Sequence, residues 1–247
     1  MIQVYIRLTF VSLEEINAIN SFIKTSVLLD LWWDDELAFW NESLTPGAGA
    51  VRIPSDWLWS PDLQLYDAAE NFEDGIVEAS VEISTSVNDY LSYLSQSRAG
   101  IISSVCKMDL DLFPFDKQVC TLAFGSFTYP FGTGGMNISL AMEEPITKPG
   151  IYIEDSFKSL SWVIEDVQGY TGFEEEYGHM AAVYYDIYLK RDSAYYYSTA
   201  IIPNLAVSIV ALMSMWIADI SSRLGVAITA MLAVIAVMVS YAYVVIC

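Results

Sequence analysis

The chain changes its hydrophobic rhythm once, near residue 192. Ahead of that point apolar positions recur every second residue in short runs. Val4, Ile6, Leu8 and Phe10 alternate with Gln3, Tyr5, Arg7 and Thr9. Tyr184, Asp186 and Tyr188 alternate with Tyr185, Ile187 and Leu189. A period of two puts one set on each face of a strand, so these runs predict β-strands. Ser26 to Trp33 is a further extended run. Turn chemistry separates the runs at Thr45-Pro-Gly-Ala-Gly49, Pro130-Phe-Gly-Thr-Gly-Gly135 and Lys148-Pro-Gly150. No long helical period intervenes. Many short strands across residues 1–192 predict an all-β sandwich of immunoglobulin-like type.

Behind residue 192 the pattern turns continuously apolar. Ser193 to Ala218 is 26 residues without a charge, and Leu224 to Cys247 is another 24. A membrane helix needs about 20 apolar residues, so both stretches qualify as transmembrane α-helices. The expected organisation is a β domain over 1–192 and a multi-pass membrane region over 193–247. Its helices are expected at 194–218 and 222–245, joined by the turn Asp219-Ile-Ser-Ser-Arg223. The first ten residues alternate like a strand and show no basic region ahead of an apolar run, as in a mature chain whose leader has been removed.

Charge sharpens this division. The formal net charge is −20. Up to residue 192 there are 30 acidic and 10 basic side chains, and beyond it only Asp219 and Arg223. An acidic field repels nucleic acid and draws cations. Catalytic signatures are missing: there is one histidine, His179, with no nucleophile signature around it. No cluster has zinc-ligand spacing and no glycine-rich phosphate loop opens a helix, so no enzyme, metal or cofactor is expected. Glu174-Glu-Glu176 reads as a solvated loop. Asn41-Glu-Ser43 and Asn137-Ile-Ser139 are glycosylation sequons expected in loops, giving weak support to an extracellular face.

Of three cysteines, Cys106 and Cys120 have thirteen residues between them, Lys-Met-Asp-Leu-Asp-Leu-Phe-Pro-Phe-Asp-Lys-Gln-Val. A bridge between them would close a loop worth about 3 kcal/mol in the chain-entropy model. It would imply an oxidising compartment. Read from spacing alone, it is an ordinary structural staple. The aromatic pair Phe113 and Phe115 flanks Pro114 within the segment.

In this setting Cys106-x-x-Asp109-x-x-x-Phe113-Pro114-Phe115-Asp116-x-Gln118-x-Cys120 resembles the Cys-loop receptors, the pentameric ligand-gated ion channels, and is closest to their nicotinic-like branch. Further segments carry the likeness. Trp33-Asp-Asp35 with Trp40-Asn41 is similar to the family's complementary-face strand. Ile53-Pro-Ser-Asp56 and Trp59-Ser-Pro-Asp62-Leu-Gln-Leu-Tyr66 are similar to its first binding loop. Gly125-Ser-Phe127-Thr-Tyr129 is similar to its second, and Tyr195-Tyr-Tyr197 with Ile201-Ile-Pro203 to its lead into the first membrane helix.

The resemblance implies an agonist pocket built as an aromatic box between subunits, which holds an ammonium by cation–π attraction. Tyr66, Phe127, Phe173 and Tyr177 would come from one subunit and Trp33 from its neighbour. Phe127 stands where nicotinic receptors place Trp, and the loop holding Tyr177 and His179 lacks their adjacent cysteine pair. These departures speak against acetylcholine; an amine-like small molecule is the favoured ligand, with an amino-acid-like ligand or no ligand as the alternatives.

The resemblance also implies a coupling layer of Glu15, Ile16, Phe113, Pro114, Phe115 and Arg191, with Glu15 paired to Arg191. In the second span it implies a pore stripe of Ser222, Gly225, Thr229, Leu232, Ala236 and Val239, with Leu232 at the gate. The implied assembly is a plasma-membrane homopentamer, this chain with four further subunits, passing permeant ions across the lipid bilayer. Its large N-terminal domain would be extracellular. The family's later helices are absent from the chain as given. Ser221-Ser222 matches neither the Glu of cation channels nor the Pro-Ala of anion channels, and the acidic domain favours cations. An anion channel and a non-conducting binding or accessory subunit are the alternatives.

Overall fold

The computed structural model describes residues 1–38, 50–70, 81–85, 92–132, 134–141, 150–157, 159, 161–176 and 178–246. Asn41, Tyr177, Trp40 and Cys247 lie outside the described residues. Eleven strands are described: β1 (Ile2–Asn17), β2 (Phe22–Asp35), β3 (Ala50–Ile53), β4 (Leu63–Leu65), β5 (Val81–Thr85), β6 (Ser92–Val105), β7 (Lys117–Ser126), β8 (Met136–Leu140), β9 (Ile151–Ile153), β10 (Trp162–Glu174) and β11 (Met180–Arg191). They form two sheets. One is seven-stranded, ordered β3-β5-β6-β2-β1-β8 with β9 also on β1; the other is ordered β10-β11-β7-β4.

The alternation read from sequence sets the packing. In β1, Val4, Ile6, Leu8 and Phe10 are fully buried, and in β2 so are Ile23, Leu29 and Leu31. In β11, Val183, Tyr185, Ile187 and Leu189 face the same core. Phe10 and Phe124 meet Tyr185 edge-on, with ring centroids 6.3 and 5.9 Å away. Burying such side chains is the main favourable term holding the two sheets together.

The seven-stranded sheet is mixed, which departs from the antiparallel immunoglobulin-like expectation, and the four-stranded sheet is antiparallel throughout. β8 and β9 both pair parallel with β1, one after the other along its edge. Between them Gly150 adopts φ +65°, donates to the Ala141 carbonyl and accepts from the Leu8 amide. A Cβ there would lie 2.7 Å from Leu140 and 3.0 Å from the Ile6 carbonyl oxygen, so only glycine fits. Asn137 consequently lies in β8 and not in a loop. Its side-chain amide donates to Gln3 at 2.7 Å, so the nitrogen a glycan would need is engaged.

The Cys106–Cys120 disulfide is formed, with Cα atoms 5.1 Å apart. Cys106 follows β6 of one sheet and Cys120 lies in β7 of the other, so the bridge ties sheet to sheet.

The strands give way to helix at Ser193. α1 (Ser193–Tyr196) runs through a π-helical turn (Tyr197–Ile201) into α2 (Ile202–Met213) and a 3₁₀ turn (Ser214–Trp216). Asp192 caps α1 by accepting from the Ala194 amide at 2.9 Å. The helix α3 (Ile220–Ile246) begins behind Asp219, which accepts from the Ser222 amide and from the Ser221 and Ser222 hydroxyls. Among the described residues α3 is the one helix long and apolar enough to cross a membrane by length and composition; Ile202–Trp216 is a shorter apolar helix.

The Tyr185 hydroxyl is fully buried and has no hydrogen-bond partner among the described residues. Leaving such a group unpaired costs about 1–3 kcal/mol. Tyr185→Phe is therefore expected to raise the urea midpoint of unfolding, read by tryptophan fluorescence, by the equivalent of about 1 kcal/mol; an unchanged or lowered midpoint contradicts this.

Candidate functional site

The loop leaving β7 is shaped by its own hydroxyls and one carboxylate. Ser126 donates to Asp62 at 2.6 Å and accepts from the Thr128 and Tyr129 amides. The second Asp62 oxygen accepts from the Thr128 amide at 3.2 Å. This clamp turns Phe127 outward, leaving it 46% exposed. Tyr66, just past β4, meets it at 4.9 Å between ring centroids and donates its hydroxyl to the Ser126 carbonyl. The Tyr66 ring lies across Gly125, where a Cβ would come within 2.1 Å of its hydroxyl oxygen. Tyr66 and Phe127 thus form one outward aromatic pair.

A second aromatic cluster joins the same loop to the β10–β11 tip. Phe173 stacks on His179 with centroids 4.6 Å apart and planes at 11°. Phe131 stands edge-on to both, at 4.9 and 5.8 Å. The Phe131 amide donates to the His179 carbonyl at 3.1 Å. His179 holds φ at +60°, and its Nδ1 lies 2.7 Å from a Glu175 oxygen. Phe131 and His179 escaped the reading from sequence. The Pro-Phe-Gly turn carried no pattern that pointed to the hairpin tip.

Trp33 does not join either cluster. It is 1% exposed, inside the core, 6.2 Å edge-on to Trp59, and its indole nitrogen has no partner among the described residues. The phase of β2 decides this. Leu29, Leu31 and Trp33 fall on the inner face, so the outward tryptophan of that strand is Trp32. Trp59 donates to the Tyr129 hydroxyl at 3.2 Å, which extends the buried row under the loop.

At the base of the sandwich the implied Glu15–Arg191 pair is not formed. Glu15 accepts from Asn17, and Arg191 is taken by Asp116. Arg191 Nε and Nη2 donate to the two Asp116 oxygens at 2.7 and 3.0 Å, and Nη1 donates to the Tyr196 hydroxyl at 3.0 Å. The guanidinium carbon lies 4.1 Å from the Trp162 ring centre, 4.8 Å from Phe113 and 5.6 Å from Tyr196. Both members are buried, Arg191 at 5% and Asp116 at 2% exposure. Glu15 lies half-buried near the end of β1. Phe113 meets Tyr196 at 5.2 Å and Phe115 meets Tyr197 at 5.9 Å, so the disulfide loop touches the first helical turns.

Along α3, Ser222, Gly225, Thr229, Leu232, Ala236 and Val239 are all exposed, and Ala230 is buried. Arg223 donates twice to the Ile217 carbonyl and closes the turn between helices. Among the described residues no group of three metal-ligating side chains occurs.

Residues 1–193 match the family model of the neurotransmitter-gated ion-channel ligand binding domain. The chain belongs to that family. It is a Cys-loop receptor chain of the nicotinic-like branch, a family that is not enzymatic. It is 30% identical over 239 residues to acetylcholine receptor subunit beta-like 1 of Drosophila melanogaster, covering 94% of this chain and 44% of that protein. Over 94% of this chain it is 29% identical to the human neuronal acetylcholine receptor subunit beta-4, covering 44% of the latter. The alpha-like subunit of Manduca sexta is 26% identical, with 93% and 44% covered. The chain spans under half the length of these relatives. In the Cys-loop frame, Cys106–Cys120 is the bridge that names the family.

Burial alone would push the Asp116 carboxyl up, but hydrogen bonds from Arg191 and Gln118 outweigh it and hold it below the ordinary aspartate value. The folded state therefore favours the ionised form. The pair contributes fully above about pH 4, the unfolded aspartate value, and is lost as pH falls through the lowered folded one. Asp116→Ala leaves Arg191 buried and unpaired, so an unfolding cost of about 3–5 kcal/mol is expected. The double replacement Asp116→Leu with Arg191→Met is expected to recover most of it. Denaturant titrations of the three proteins check both, and a double variant as unstable as Asp116→Ala would refute the desolvation argument.

Proposed function

We propose that this chain is a subunit of a pentameric, cation-selective channel of the plasma membrane, opened by a small ammonium-bearing ligand at subunit interfaces. The observation that carries the reading is the Tyr66–Phe127 pair, held outward by Ser126 and Asp62 beside the Phe131–Phe173–His179 cluster of the hairpin tip. Electron-rich faces on a domain of net charge −20 suit an organic cation. Phe127 gives a weaker face than Trp, which fits an amine other than acetylcholine.

Signal passes downward through rigid parts. Movement of the hairpin tip travels along β11 to Arg191, and through Asp116 and Phe113 to Tyr196 at the first helical turn. Helix α3 lines the ion path with its exposed stripe, and Leu232 closes it by dewetting. Both helical segments cross the bilayer, the β domain lies outside, and five identical chains assemble around the axis.

Recording current from membranes that hold the complete subunit tests the reading. Ligand-evoked current is expected to reverse with the cation gradient, and a reversal potential that follows chloride would overturn cation selectivity. No current with any ammonium, despite surface delivery, would overturn the channel itself. Phe127→Trp is expected to lower the half-maximal ammonium concentration about fivefold, since the stronger face adds roughly 1 kcal/mol.

A further inference from the structure

The outer face of the β10–β11 hairpin carries a tyrosine pair that belongs neither to the core nor to the Tyr66–Phe127 face. Along β11, Val183, Tyr185 and Ile187 point into the core, so Tyr184 and Asp186 point outward. The cross-strand partner of Tyr184 on β10 is Tyr170. Their rings stack with centroids 5.1 Å apart and planes at 15°. Near-parallel aromatic pairs at this spacing are offset, which sets the edge of one ring over the face of the other. Gly172 makes the room, since a Cβ there would lie 3.0 Å from the Tyr184 ring. Tyr170 is 46% exposed and Tyr184 is half-buried, so a small oxidant reaches the pair from solvent.

Both phenols face carboxylates. Tyr184 donates to Glu174 at 3.2 Å. Asp186 stands beside the Tyr170 hydroxyl, and its Oδ1 accepts from the Thr121 hydroxyl at 2.6 Å. Burial first, and then these carboxylates, hold both phenols above their ordinary value, with Tyr184 raised to about 12. Neither ring is therefore a phenolate at neutral pH. A facing carboxylate can take the hydroxyl proton while the ring gives up an electron, so each tyrosine can be oxidised from its neutral form. The Cys106–Cys120 disulfide places the domain in an oxidising compartment.

We propose that Tyr170 and Tyr184 are a site of oxidative modification, joined through a carbon–carbon bond as dityrosine. The oxidant is hydrogen peroxide, acting through a haem peroxidase. Each ring loses one electron and its hydroxyl proton, the proton passing to the facing carboxylate. The two phenoxyl radicals couple between ring carbons ortho to their oxygens. Each joined carbon then gives up its hydrogen as a proton, and a proton returns to each oxygen, which restores two phenols. Two tyrosines and one peroxide thus give one dityrosine and two waters. The new bond is a rung below the hairpin tip, so Phe173 and His179 come to lie in a covalently closed loop over residues 171–183. Closing the loop removes open states of the tip. The inference rests on the hairpin geometry alone, not on the ligand or on channel activity.

The test treats the full chain in detergent with horseradish peroxidase and limiting hydrogen peroxide. Blue biphenol fluorescence is expected, with the loss of two hydrogens from the intact mass of a single chain. Tandem mass spectrometry of the digest is expected to place the link between Tyr170 and Tyr184. Tyr170→Phe and Tyr184→Phe, which keep the rings and remove one hydroxyl each, are expected to abolish the product. Tyr152→Phe removes a tyrosine that is 59% exposed and is expected to leave the yield unchanged, which separates stacking from mere exposure. In the linked chain the amides of Phe173 and Met180 are expected to exchange with deuterium severalfold more slowly. The proposal is overturned by absence of the biphenol, by a link that joins other tyrosines or two chains, by an undiminished yield in Tyr170→Phe or Tyr184→Phe, by a yield that falls in Tyr152→Phe, or by unaltered exchange at the tip.

Discussion

The ion pair between Arg191 and Asp116 is the constraint on which the lower half of the structure depends. It joins the last residue of β11, the end of the disulfide loop and, through Tyr196, the first helical turn. A guanidinium taken out of water must keep its partners, because the desolvation cost is recovered only by near-complete pairing. Asp116 supplies charge, Tyr196 an acceptor, and Trp162 and Phe113 their ring faces. Strand, loop and helix are therefore not free to move apart one at a time. Gln118 extends the constraint, since its amide donates to Asp116 and to the Asp109 carbonyl inside the same loop. One level up, the Cys106–Cys120 bridge prevents the two sheets from sliding where that loop leaves them.

Much of this was legible in the chain because period two is a strong signal when one face is buried. The strand runs at Val4–Phe10 and Tyr184–Leu189, the turn at Gly150 and the helical onset behind Asp192 all follow local chemistry. What was not legible depends on contacts distant in sequence. The parallel docking of β8 and β9 on β1 joins residues more than 130 positions apart, and nothing local to Asn137 says that it will lie in a strand against Gln3. Arg191 posed the same difficulty. Several carboxylates precede it in the chain, and only burial beside Gln118 selects Asp116 over Glu15.

Trp32 and Trp33 are a different case, since the deciding signal was local. Leu29 and Leu31 fix the phase of β2, and extending that phase places Trp33 inside and Trp32 outside. A likeness to a family motif assigned the tryptophan to a role, whereas strand phase assigns it to a face. Where the two disagree, the face prevails, because turning one residue outward would require moving every neighbour of the strand to the wrong side.

The same reasoning separates the cations that the chain keeps from those that it can exchange. Trp162 and Tyr196 are 5% and 2% exposed, and the guanidinium between them is covalently part of the chain. A free cation could not reach such a cage without shedding its water, and could not leave without exposing a bare carboxylate. Phe127 is nearly half exposed, with Asp62 held behind it. At that exposure an ammonium meeting the ring would keep part of its hydration, which favours weak and reversible contact. Depth of burial thus separates a fixed pin at the base of the sandwich from the exposed Tyr66–Phe127 face, to which a free cation has access.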